Sequence, residues 1–146
     1  MDLQAFLRPD VLPARETEVI LSDRFRDADG NPVPFKLKGI SEEENSRIRR
    51  SCQRQSTGIE QPAFDRENYL RRFTAACVTS PDLKSQTLQQ SWGVMGEEAL
   101  LGVMLTAGEF ARLFAAAREV CGFIAGAEAE NIKNTLKKAC GGETAN

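Results

Sequence analysis

Between Thr17 and Ile40 the apolar residues recur at alternate positions, with Val19, Leu21 and Phe25 on one side of the first half and Val33, Phe35 and Leu37 on one side of the second. A period of two marks a half-buried strand, and two such runs around a turn predict a β-hairpin over residues 17–40. The intervening stretch DADGN, Asp27 to Asn31, allows two registers. A two-residue Asp29-Gly30 turn sets Phe25 opposite Pro34 and Leu21 opposite Lys38, which scatters the apolar residues over both faces. A three-residue loop of Ala28, Asp29 and Gly30 pairs Phe25 with Val33 and Leu21 with Leu37 and keeps one apolar face. The pattern selects the longer loop, a type I turn that begins at Asp27 and places Gly30 in the left-handed conformation. Pro32 and Pro34 cannot donate to a ladder, so the second strand needs an unpaired side.

From Ser41 onward the period lengthens to that of helices. Ser41 and Glu44 form a capping box for a helix running from acidic SEEE to basic RIRRSCQR, with only Ile48 and Cys52 as an apolar stripe. The polar stretch QSTGIEQPAF reads as a loop. Asp65 then caps a helix whose Tyr69, Leu70, Phe73, Ala76 and Cys77 share a buried face, and Pro81 is expected to stop it. Ser85 starts a short helix through Leu88 to Trp92 that Gly93 ends, and Gly96 to Leu105 forms another. Thr106 and Glu109 make a second capping box before Phe110, Leu113, Phe114, Ala117, Val120 and Cys121, and Gly122-Phe123 resembles a Schellman ending.

The two ends are less patterned. Asp2 caps a helical turn whose Leu3, Phe6 and Leu7 share a face before Pro9, either a docking arm or part of the core. Beyond Phe123 only Ile132, Leu136 and Cys140 form a line, so residues 124–146 are expected to be a frayed helix or disordered. The fold class expected is α+β: a mainly α-helical single domain over residues 1–123, with an N-terminal β-hairpin at about 17–40 packed on four or five short helices at about 41–122.

Composition narrows the chemistry. With 146 residues, Lys+Arg 19 against Asp+Glu 21 and a formal charge of -2, the chain suits one core and announces no nucleic acid. The basic cluster Arg47, Arg49, Arg50 and Arg54 has no interleaved aromatic residue and reads as a solvated helix end. No apolar run approaches the roughly 20 residues of a membrane span, and MDLQAFLRPD lacks the features of a signal peptide, so a cytoplasmic place is expected. Cys52, Cys77, Cys121 and Cys140 are widely spaced and read as reduced thiols. The absence of histidine removes Ser-His-Asp and Cys-His catalysis and histidine-ligated zinc. DADGN begins like a calcium loop, yet an EF-hand needs glycine sixth and glutamate twelfth, and here glycine is fourth and Lys38 twelfth. Glu97 and Glu98 sit at a helix start, where the dipole accounts for them. No enzyme activity, cofactor or metal is expected.

The order of elements goes further. The segment DADGNPVPFKLKGISEEENSRIRRSC followed by YLRRFTAACVTSPDLKSQTLQQSWGVMGEEALLGVMLTAGEFARL closely resembles the XkdN-like family of phage tail assembly chaperones. DGNPVPF, PDLK and GVMG with a later GEF are its most specific pieces, and the likeness covers roughly Met1 to Phe123. The resemblance implies a protein that works in the cytoplasm of the bacterial host, binds the long helical tape measure protein, helps tail tube protein gather on it, and is absent from the finished tail. A structural tail or neck component of a phage or phage-like particle is the alternative, and a regulatory protein binding nucleic acid through Arg47 to Arg54 is a third class. The implied partners are the tape measure protein and the tail tube protein, with no nucleic acid and no membrane, and a homo-oligomer is compatible. Trp92, Val94 and Met95, at a joint between short helices, are the first candidates for the partner-binding surface, and Leu3, Phe6 and Leu7 the second. Taken alone, each of these residues fits the core better than a binding surface, because apolar residues at helical spacing are usually buried. The family also includes longer products of ribosomal frameshifting, for which Lys137-Lys138 marks a place where a slippery run would fall.

Overall fold

The structure, a computed structural model, describes residues 2–53 and 63–123. The tail 124–146, with Ile132, Leu136, Lys137, Lys138 and Cys140, lies outside the described residues, as does Arg54. The hairpin forms from β1 (Glu16–Val19) and β2 (Phe35–Lys38), antiparallel. Helices α1 (Glu42–Ser51) and α2 (Arg66–Cys77) follow, then β3 (Val78–Ser80), α3 (Gln86–Ser91), α4 (Glu97–Met104) and α5 (Ala107–Val120). The expected α+β architecture is present, with one addition. Strand β3 makes a sheet of order β1-β2-β3.

The turn at the hairpin tip is the one the pattern selects. Val33 N–H donates to the Phe25 carbonyl at 2.8 Å, Gly30 N–H donates to Asp27 at 3.0 Å, and Gly30 has φ 83°. The Asp27 carboxylate accepts from the amides of Asp29 and Asn31, both at 2.9 Å. Its job is therefore to close the turn.

Lower down, the expected register fails. Leu37 faces Thr17, and Val19 faces Phe35, so Leu21 and Leu37 are not partners. Between Val19 and Phe25 lie five residues of the first strand, Ile20 to Arg24, against the single Pro34 of the second. Pro34 has no N–H with which to continue the ladder, and the excess residues loop out toward α5. Leu21 drops into the core, Arg112 Nε donates to its carbonyl at 2.9 Å, and Ser22 and Arg24 both reach Glu109. The slip is four residues, an even number, so the alternation of faces survives it. The sequence pattern is therefore correct about the Phe25 and Val33 pair at the tip and wrong about the pairing of Leu21 with Leu37.

Helix α2 also ends earlier than expected, at Cys77 and not at Pro81. Val78 and Thr79 are β-branched and exchange helix for sheet: Leu37 pairs with Val78 and Lys36 with Ser80, and Thr79 Oγ1 donates to the Lys36 carbonyl at 3.2 Å. The Ser80-Pro81 peptide bond is cis.

Caps set the remaining helix ends. Ser41, Asp65, Ser85 and Thr106 each accept a hydrogen bond from the backbone amide three residues on. The box on α5 is reciprocal, whereas in α1 only Ser41 caps and the Glu44 carboxylate lies 3.9 Å from Arg47. At the end of α5, Gly122 N–H donates to Glu119 and Phe123 N–H to Arg118, the two bonds of a Schellman motif.

The core lies between the sheet and the α2, α4 and α5 helices. Leu37, Leu100, Leu101 and Leu113 are fully buried, with Phe35 and Phe73 beside them. Cys77 is buried there too, 3.5 Å from the thiol of Cys121, and burial followed by the neighbouring thiol pushes its pKa up, which keeps it protonated. Helix α1 is mostly exposed: Arg47 pairs with Glu43 at 3.3 Å and Arg49 with Glu42 at 3.6 Å, so these two members of the basic cluster are compensated on their own helix.

Gly39 links the open end of the hairpin to α5. A Cβ there would stand 2.7 Å from the Val120 carbonyl oxygen, a backbone atom that cannot swing aside. Gly39→Ala is expected to destabilise the fold by about 1–3 kcal/mol, the range for overpacking a close contact. Urea unfolding checks this, and a midpoint equal to that of the native chain would show that the approach is looser than the geometry implies.

Candidate functional site

Helix α3 is short and its surroundings hold it firmly. Ser85 caps its start, and at its end Gly93, with φ 68°, lets Gly93 and Val94 donate to Gln90 and Gln89, both at 3.0 Å. This is a second Schellman ending. Gln89 then ties the joint from both sides: its Nε2 donates to the Leu83 carbonyl at 2.8 Å, and its Oε1 accepts from Gly96 N–H at 3.0 Å. The joint between α3 and α4 is thus fixed in shape.

The three joint residues have different fates. Trp92 is 39% exposed, Met95 is 90% exposed, and Val94 is half-buried against the core. Trp92 stands on the wall of a groove of about 390 Å³ between α3 and the hairpin tip, whose apolar lining includes Phe25, Val33, Pro34, Phe35 and Leu88. Met95 is not among the lining residues. Phe25 and Phe35 meet edge to face at 5.3 Å, which stiffens the floor.

Sequence reasoning takes Phe25 and Val33 as core-facing hairpin residues and passes over them as site residues. The four-residue slip carries the tip clear of the sheet, so Val33 is exposed and Phe25 only half-buried. The available signal was Val33 between two prolines: a strand that cannot pair on that side leaves its neighbours open.

The N-terminal residues do not join the core. Two 3-10 turns, Leu3–Phe6 and Arg8–Asp10, contain no buried residue. Phe6 is 73% and Leu12 87% exposed, and Leu3, Leu7 and Val11 are exposed as well. The segment is therefore not part of the core. Such a run of uncovered large apolar side chains is unusual on a free surface.

A larger cleft of about 600 Å³ lies between α1, α2 and the turn before α3, and charged groups of both signs line it, among them Glu44, Arg47, Arg72, Glu97 and Glu98. Ile48, Ala75, Ala76, Val78 and Leu83 are set among these charges, so the cleft is mixed in character where the groove beside Trp92 is mainly apolar. Among the described residues no helix is long and apolar enough to cross a membrane.

The comparisons agree with this architecture. The chain is 28% identical over 130 residues to the uncharacterized protein YqbN of Bacillus subtilis (strain 168), covering 84% of this chain and 85% of that protein. It is 26% identical over 130 residues to the phage-like element PBSX protein XkdN of the same organism, with the same coverage of 84% and 85%. The crystal structure of the protein YqbN matches with a TM-score of 0.72 at 26% identity, over 85% of this chain and 98% of that chain. The family described as phage XkdN-like tail assembly chaperone protein, TAC, matches residues 3–135, from the exposed arm to beyond Phe123. With the hairpin, the helix order and nearly the whole length accounted for in this way, the chain belongs to the phage XkdN-like family of tail assembly chaperones.

Proposed function

We propose that this chaperone binds the tape measure protein of its particle, covers apolar helical surface on it while tail tube protein gathers, and leaves before the tail is complete. The observation that carries this reading is the groove between α3 and the hairpin tip: an apolar cleft on a rigid joint, walled by half-exposed Trp92. A groove of this kind takes the apolar face of an amphipathic helix, with an aromatic anchor and a flexible methionine such as Met95 nearby. The role requires no catalysis and no cofactor, and it belongs to the cytoplasm of the host.

Co-expression with the tape measure protein of the same particle tests the reading. The native chain is expected to keep that protein in the soluble fraction and to co-purify with it. Trp92→Ala is expected to weaken the complex about 30-fold, the equivalent of losing one aromatic hot spot of about 2 kcal/mol. Purified tails should lack the chain by mass spectrometry. Its stoichiometric presence in finished tails would instead support a structural tail or neck component.

A further inference from the structure

Two of the thiols meet where helices end. Cys77 is the last residue of α2 and Cys121 caps α5, and their sulfurs stand 3.5 Å apart although 44 positions separate them in the chain. Cys52 is placed differently. It is 2% exposed and its sulfur contacts the Ser51 hydroxyl at 3.8 Å.

The paired thiols are not equally reached. Cys77 is wholly buried, whereas Cys121 is half-buried and lines a cavity of about 110 Å³ together with Ser41, Glu42, Asn45, Phe73 and Phe123. The cavity is partly polar and several times the size that one water molecule requires, so a small polar oxidant fits there. Burial also holds Cys77 protonated. The sulfur placed to meet an oxidant is therefore Cys121, and Cys77 is placed to follow it. A disulfide needs the sulfurs at roughly 2.0 Å, about 1.5 Å closer than they stand. Cys121 lies beyond the last helical residue and precedes Gly122, with φ 92°, and a helix end yields more readily than its interior.

We infer that Cys121 is a peroxide-reactive thiol and that Cys77 resolves it, closing a disulfide that fastens the end of α2 to the end of α5. The Cys121 sulfur attacks one oxygen of hydrogen peroxide, the O–O bond breaks, and the other oxygen leaves as water with the Cys121 proton. Cys121 is then a sulfenic acid. The Cys77 sulfur attacks it, the S–O bond breaks, and the hydroxyl leaves as a second water with the Cys77 proton. Two thiols lose two electrons and peroxide gains them. Contact between the sulfurs offsets the small thiolate fraction that burial leaves to Cys77, because neither has to diffuse to the other. A thiol donor reopens the bond by exchange.

Hydrogen peroxide treatment of the full chain, then alkylation of the remaining thiols and tryptic mapping without reductant, tests this. In protein that runs as one copy on a non-reducing gel, the peptide of residues 73–84 should be joined to that of residues 119–133. Dithiothreitol should separate them. The joined chain should melt about 10 °C higher, the shift expected from closing a loop of this length, and neither Cys77→Ala nor Cys121→Ala should gain it. In Cys77→Ala the sulfenic acid has no partner, so dimedone should label Cys121. In Cys121→Ala it should leave Cys77 unlabelled. The map of the native chain decides the bond even where an alanine variant fails to fold. Cys77 and Cys121 both alkylated after treatment, a link from either of them to Cys52 or Cys140 in place of their own, or a joined chain that melts no higher would each overturn the inference. So would dimedone on Cys77, or a folded Cys77→Ala chain whose Cys121 stays unlabelled.

Discussion

Glu109→Ala is expected to destabilise the fold by about 3 kcal/mol, the magnitude of losing hydrogen bonds to a buried carboxylate together with a helix cap. The residue is 1% exposed, yet it is the hub of four groups. Its Oε2 accepts from Ser22 Oγ, and its Oε1 accepts from the Thr106 amide and from Arg24, while its own amide is capped by Thr106 Oγ1. Alanine abolishes the reciprocal cap on α5, strands the Thr106 amide, and frees the Ile20 to Arg24 excursion that carries Leu21 into the core. Glutamine fills the same space and retains most of the hydrogen bonds, so Glu109→Gln should cost about 1–2 kcal/mol, the value of charge assistance to a hydrogen bond.

The same residue fixes an acid response. Burial pushes the Glu109 carboxyl up, but hydrogen bonds from Ser22 and the Thr106 amide and the charge of Arg24 outweigh it, and the group is held below its ordinary value of 4.5. A carboxyl lowered on folding contributes stability above its unfolded value and loses it as pH falls through the folded one. Thermal midpoints should therefore keep this contribution down to about pH 4.5 and lose it below. In Glu109→Gln this part of the acid decline should vanish. An undiminished decline in that variant would show that other carboxylates dominate.

The second large effect is expected at Leu37→Ala, about 3 kcal/mol and a midpoint about 10 °C lower, within the range for buried leucine truncation. Leu37 is 1% exposed on the central strand, between Thr17 of β1 and Val78 of β3, and α5 packs over it. Removing its methyl groups leaves a cavity that two strands and a helix would have to shift together to fill. Val103→Ala is the control: its side chain is largely in solvent, and the change should fall within about 0.5 kcal/mol. Equal losses at both positions would contradict the arrangement of the core.

What could be read from the sequence depended on the range of the interaction. Caps and stops are local, and Ser41, Asp65, Ser85, Thr106, Gly93 and Gly122 all act where the sequence places them. The hairpin tip is also local, so its three-residue loop was legible in DADGN. The pairing of Leu21 was not, because it is decided by Glu109, more than eighty residues away, and by the missing N–H of Pro34. Strand β3 was hidden for a related reason: three residues at the end of a helical pattern turn to sheet only because β2 offers an open edge.

The candidate site divides in the same way. Trp92 was legible as an apolar residue at a joint, and it does stand on the groove wall. Val94 has the same local context, yet it faces inward and packs on the core. Phe25 and Val33 entered the groove only through the slip, which no periodicity reveals.

The clasp formed by Ser22, Arg24 and Glu109 also sets a timetable. Arg24 and Glu109 are 85 residues apart in the chain, and at ordinary rates of synthesis the second emerges roughly 4–17 s after the first. Through that interval the hairpin has left the ribosome without its fastener, with Leu21, Phe35 and Leu37 uncovered. The new chain is thus briefly without cover for its own apolar residues, and it remains so until α5 is made.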